Sequence, residues 1–80
     1  MHITLKNNSA ANNQLRFIGG GSTTTQTMST SDSSEKTYSF DMTSEAGWTG
    51  NQVFTIGIGT DTDGKAADAG TVEISSIVID

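Results

Sequence analysis

The sequence predicts an all-β protein, an antiparallel β-sandwich of about six strands. Three observations predict it. Apolar residues recur at every second position over short runs, the period of a half-buried strand. Clusters of Gly, Asn, Asp and Ser separate those runs at turn-like spacing. No window carries the 3.6-residue period of a long amphipathic helix, and no fixed repeat marks a solenoid.

The elements follow in order. In His2-Ile3-Thr4-Leu5-Lys6, Ile3 and Leu5 share one face. Asn7 to Asn13, NNSAANN, reads as a loop. Gln14-Leu15-Arg16-Phe17-Ile18 alternates again, with Leu15 and Phe17 together, and Gly19-Gly20-Gly21 breaks the strand. Thr23 to Thr30 is a polar strand, because β-branched threonine fits a pleated surface. The stretch Ser31 to Ser34, SDSS, is a turn. Lys36 to Met42, KTYSFDM, puts Tyr38, Phe40 and Met42 on one face and Thr37, Ser39 and Asp41 on the other. The loop Ala46-Gly47-Trp48-Thr49-Gly50-Asn51 follows. Gln52 to Thr60, QVFTIGIGT, turns Phe54, Ile56 and Ile58 inward and Gly57 and Gly59 outward. Asp61 to Gly70 is a turn-rich loop, and Thr71 to Asp80, TVEISSIVID, is the last strand.

That strand has a phase break. Val72 and Ile74 share one parity, Ile77 and Ile79 the other. A β-bulge near Ser75-Ser76 restores a common core side for all four. The alternative is a strand buried on both faces, for which Val78 is available. The expected core is Ile3, Leu5, Leu15, Phe17, Tyr38, Phe40, Phe54, Ile56, Ile58, Val72, Ile74 and Ile77.

Eighty residues make one domain, residues 1–80. A chain of that size buries only about 60% of its unfolded surface, so its stability is marginal without help. The absence of cysteine removes disulfides as that help. A metal, a partner chain or a further part of the same fold is what remains. Net charge is -5 with four scattered basic residues, so no basic footprint for nucleic acid exists. No apolar run approaches the roughly 20 residues of a membrane-spanning helix.

The combination Leu5-Lys6-Asn7-Asn8-Ser9, Tyr38-Ser39-Phe40-Asp41-Met42, Gly47-Trp48-Thr49-Gly50 and Gly70-Thr71-Val72-Glu73-Ile74 resembles a known family. It is similar to the C-terminal half of galactose-binding-like jelly rolls, the carbohydrate-binding modules appended to secreted glucanases and xylanases. Members of that family carry several further strands before the one that matches Ile3 and Leu5. The resemblance implies a jelly-roll-like sandwich, a non-catalytic role, a structural tryptophan in the W-x-G motif and a structural calcium near the closing strand. It also implies unpaired strand edges here, open to completion by a partner chain.

The candidate ligand-binding residues are Arg16, Trp48 and Gln52. Arg16 and Gln52 are polar groups for sugar hydroxyls, and Trp48 is a ring on which a sugar's C–H face could stack. The competing role for Trp48 is a core plug whose N–H finds an acceptor. Asp61, Asp63 and Asp68 are the candidate metal ligands, since a hard cation such as calcium wants converging carboxylate oxygens. A solvated Asp61-Thr62-Asp63-Gly64 turn is the simpler alternative.

Thr23, Thr25, Thr27 and Ser29 form a hydroxyl row that also suits an ordinary outward strand face. Glu35, Asp41 and Glu45 fall on outward faces or loops rather than facing across a cleft, and His2 is the sole histidine, so an enzyme is not expected. Two functions remain. One is a non-catalytic carbohydrate-binding-like module for an extracellular polysaccharide. The other is a self-assembling structural subunit of an extracellular filament, coat or virion, hence a homo-oligomer.

Overall fold

The computed structural model describes residues 1–63 and 65–79, so Gly64 and Asp80 lie outside the described residues. Six strands run in chain order: β1 His2–Asn7, β2 Gln14–Gly19, β3 Ser22–Thr27, β4 Lys36–Ser39, β5 Thr55–Gly59 and β6 Val72–Val78. They form two three-stranded antiparallel sheets, ordered β4-β1-β6 and β3-β2-β5. This is a small antiparallel β-sandwich, with no helix among the described residues.

Each sheet has its most deeply buried strand in the middle. The residues Ile3 and Leu5 of β1, and Leu15 and Phe17 of β2, are fully buried between the layers. Met1, Met28, Phe40 and Met42 complete the buried core, and Tyr38, Trp48, Phe54, Ile56, Ile58 and Val72 pack around it half-buried. At the centre, Phe17 meets Phe40 at 5.4 Å, Phe54 at 5.5 Å and Trp48 at 5.7 Å between ring centroids.

The predicted strands are present, β1 and β2 one residue longer and β3 to β6 shorter than expected. β4 stops at Ser39, and β5 starts at Thr55. Phe40 and Met42 still point inward, because Phe40 N–H bonds back to the Met1 carbonyl outside the ladder. β3 ends at Thr27, where Met28 turns in and its N–H bonds the Asn13 carbonyl. Gly20 and Gly21 both have positive φ, 61° and 77°, the geometry of a tight hairpin turn between β2 and β3.

The bulge falls where the parity placed it. Thr4 pairs with Ser76 and Leu5 with Ile74, so Ser75 is the extra residue. Ile74 and Ile77 thus sit opposite the buried Leu5 and Ile3, on the inner face. Their expected burial is corrected: Ile74 is 42% exposed and Ile77 40%. The reason lies in the strand order. Gln26 of β3 donates to the Ser39 carbonyl, which puts β3 beside β4 on one flank and leaves β5 and β6 on the other. β6 is an edge of its sheet, unlike the central β1 that carries Ile3 and Leu5.

Asn7 is also corrected. It closes β1 rather than opening a loop, and it is fully buried. Its parity continues that of Ile3 and Leu5, so the pleat turns its amide inward.

Candidate functional site

The two ends of the sandwich are built from opposite chemistry. At the end that carries residues 8–13, 28–35 and 60–71, buried polar groups form one connected network. Asn7 Nδ2 donates to the carbonyls of Asn12 and Ser29. Its Oδ1 accepts from the Ser9 N–H and hydroxyl. Asp32 Oδ2 accepts the Asn7 N–H, and Oδ1 accepts from the Ser29 hydroxyl and Lys36 Nζ. The Ser29 hydroxyl, the Asn7 N–H and the Lys36 ammonium together hold the Asp32 carboxyl below its ordinary value, against an opposing push from burial. Among the described residues no buried side-chain nitrogen or oxygen lacks a partner. This network staples three loops together, and its groups are consumed by one another.

At the other end, the loop from Phe40 to Phe54 lays Trp48 over the core. The indole stands edge-on to Phe17, at 78° between ring planes, and lies 6.3 Å from Phe54. Its backbone runs so close to the β2–β3 hairpin that a Cβ on Gly47 would sit 2.6 Å from the Gly20 carbonyl oxygen. The ring is half-buried, and the edge that remains accessible borders two hollows. One, of about 550 Å³, is walled by Met1, Phe40, Met42 and Trp48, with Asp41 and Glu45 at its rim. Asp41 is already committed: the Thr43 hydroxyl and N–H both donate to it and lower its pKa. The other, of about 340 Å³, lies between Trp48, Gln52 and Ile79. Gln52 Nε2 is turned back onto the Thr49 carbonyl of its own loop.

Arg16 lies elsewhere. Leu15 and Phe17 face the core, so the pleat sends Gln14, Arg16 and Ile18 to the outer face of the β3-β2-β5 sheet. The pairing there aligns Thr25, Arg16 and Gly57 in one row, and Thr23, Ile18 and Thr55 in the next. Gly57 has no side chain, and a Cβ there would meet nothing closer than Arg16 Cβ at 3.5 Å. The result is a groove of about 290 Å³ along β5, lined by Arg16, Ile18, Thr55, Gly57 and Asp63. Arg16 Nη1 donates to the Thr62 carbonyl at 3.1 Å, which fixes the guanidinium at the groove wall beside the loop that carries Asp63.

The three predicted ligand-binding residues therefore divide. Trp48 and Gln52 share the loop end, while Arg16 belongs to the sheet face. The three predicted metal ligands divide as well. Asp61 Oδ1 accepts the N–H groups of Lys65 and Ala66, as a turn-forming aspartate does. Asp63 borders the groove, and Asp68 is held through its backbone by the amide of Asn12. Among the described residues no three His, Cys, Asp or Glu side chains are gathered into one cluster. Gly64, part of the predicted turn, is outside the described residues.

Sequence reasoning missed Gly57 as a groove-lining position. The signal was present in QVFTIGIGT, where glycine takes an outward place in a strand and so leaves room for a close approach. It missed Asn7 and Asp32 because polar residues in Asn- and Ser-rich stretches read as loop.

No family model, curated protein or solved structure matches the chain.

Proposed function

We propose that this chain is a non-catalytic carbohydrate-binding module that takes an extracellular polysaccharide strand along the outer face of its β3-β2-β5 sheet. The observation that carries the reading is the groove over Gly57. A planar guanidinium, the Thr55 hydroxyl and a carboxylate line one open trench, with Ile18 as its apolar patch. Sugar rings present hydroxyls at their rims and C–H groups on their faces, and these residue types answer both. The hydroxyl row Thr23, Thr25 and Thr27 extends the same face, through pairing with Ile18, Arg16 and Gln14. Trp48 does not enter this groove, so the grip is polar and shallow.

Affinity electrophoresis on gels containing soluble xylan or mixed-linkage glucan tests the proposal. The native chain is expected to be retarded on at least one. Arg16→Ala and Gly57→Val should abolish the retardation. Gly57→Val fills the trench but suits a strand, so it should leave the fold at least as stable. Free migration of the native chain on every glycan, or full retardation of Gly57→Val, would overturn the reading.

The uncovered isoleucines of β6 support a second reading, a structural subunit that assembles with copies of itself.

A further inference from the structure

We infer that the larger hollow at the Trp48 end of the sandwich is a binding site for a small organic cation, an ammonium group carried on an apolar body. The site shares no residue with the glycan groove, which lies on the outer face of the β3-β2-β5 sheet.

Parity builds its apolar wall. Met1 continues the inward phase of Ile3 and Leu5, and Phe40 and Met42 continue that of Tyr38 beyond the end of β4. Two successive turns then carry the chain round to Trp48. They are closed by the Glu45 N–H on the Met42 carbonyl at 3.1 Å and the Trp48 N–H on the Glu45 carbonyl at 3.0 Å. The hollow these residues line measures about 550 Å³, within the range of roughly 300–1,000 Å³ that small-molecule sites occupy. Two of its four apolar residues are methionines, whose unbranched chains adapt to ligands of different outline.

The polar groups decide the ligand, and most are spent on one another. The Met1 ammonium donates to the Phe40 carbonyl at 2.9 Å. Ser39 Oγ lies 2.8 Å from His2 Nδ1. The Thr43 hydroxyl and N–H both donate to Asp41, whose charge the Met1 ammonium also offsets. Glu45 is the exception. It stands half-buried at the rim, and among the described residues no hydrogen bond or ion pair takes its carboxylate. A sugar here would find few partners for its many hydroxyls, and a buried hydroxyl without one is costly. A carboxylate ligand would meet a like charge. An ammonium instead donates a charge-assisted hydrogen bond to Glu45, while its apolar body covers Met1, Met42 and Trp48.

Three probes of similar shape and different charge test this on the full chain: 2-phenylethylammonium, 2-phenylethanol and phenylacetate. Binding is read from the NMR signals of the methionine methyl groups. Met42 lines the hollow, and Met28, at the opposite end of the sandwich, serves as the reference. The ammonium should move the Met42 methyl saturably and bind about tenfold tighter than the alcohol, the worth of one hydrogen bond to a charged group. Phenylacetate should bind more weakly than the alcohol. Glu45→Gln, folded by circular dichroism, should bring the ammonium down to the affinity of the alcohol and leave the alcohol unchanged. Arg16→Ala should leave all three affinities unchanged whatever it does on glycan gels, so failure of the groove and failure of this site are distinguishable. A Met42 methyl that none of the three probes moves up to about 10 mM would overturn the proposal. So would an alcohol that binds as tightly as the ammonium, or an ammonium affinity unaltered in Glu45→Gln.

Discussion

Replacing Phe17 with alanine tests the central packing claim most directly. Phe17 is 1% exposed and touches three other aromatic rings, at 5.4, 5.5 and 5.7 Å. Truncating a buried Phe to Ala costs about 3–5 kcal/mol through lost transfer energy and the cavity left behind. Each aromatic pair adds about 0.5–1.5 kcal/mol beyond area burial, and here three are lost at once. The expected loss is therefore at the top of that range, about 4–5 kcal/mol. At about 0.05–0.15 kcal/mol per residue, a chain of this length has about 4–12 kcal/mol in total. The variant should thus be marginal or unfolded in water. Urea unfolding, followed by Trp48 emission and by circular dichroism, measures the loss, and coincident transitions license a single free energy. Phe17→Leu, which retains apolar bulk, should fold with a loss of about 1–3 kcal/mol. Val53→Ala, at a residue 93% exposed, should stay within about 0.5 kcal/mol of the native chain. A loss below about 1 kcal/mol for Phe17→Ala would refute the claim that this ring organises the core.

Three further outcomes follow from the geometry. Asp32 is more acidic folded than its ordinary value of 3.8, so its contribution is complete above that value and is lost as pH falls below it through the folded pKa; Asp32→Asn should flatten this acid limb in melting curves taken across the carboxylate range, and an unchanged limb would remove the role assigned to it. Gly47→Ala places a Cβ 2.6 Å from the Gly20 carbonyl oxygen, so the loop must lift, and Trp48 emission should move to longer wavelength with a lower melting temperature; an unshifted spectrum would contradict the packing described. Because Asp61 caps its own turn, Asp61→Ala should lower the melting temperature equally with or without calcium; a calcium-dependent rise in stability that Asp61→Ala removes would instead assign Asp61 to a cation site.

The sequence by itself determined the strand number, the inward face of the apolar strands and a bulge near Ser75-Ser76. All of these follow from parity along the chain, a local property that the pleat converts directly into sidedness. Parity also held the answer for Asn7, two positions beyond Leu5, but its polarity hid it. Burial was a different matter. Ile74 and Leu5 carry the same inward parity, yet one is 42% exposed and the other fully buried, because β6 is an edge and β1 a centre. Strand order is set by which distant segments pair, and no local pattern encodes it. The same holds for the sites. Alternation alone turned Arg16 outward, but only the register of β2 on β5 set it beside Gly57 and opened a groove. Trp48 shows both sides of the division. Its glycine-flanked loop was legible, whereas the three-ring contact that makes it a lid on the core needed β2 and the segment before β5 to meet.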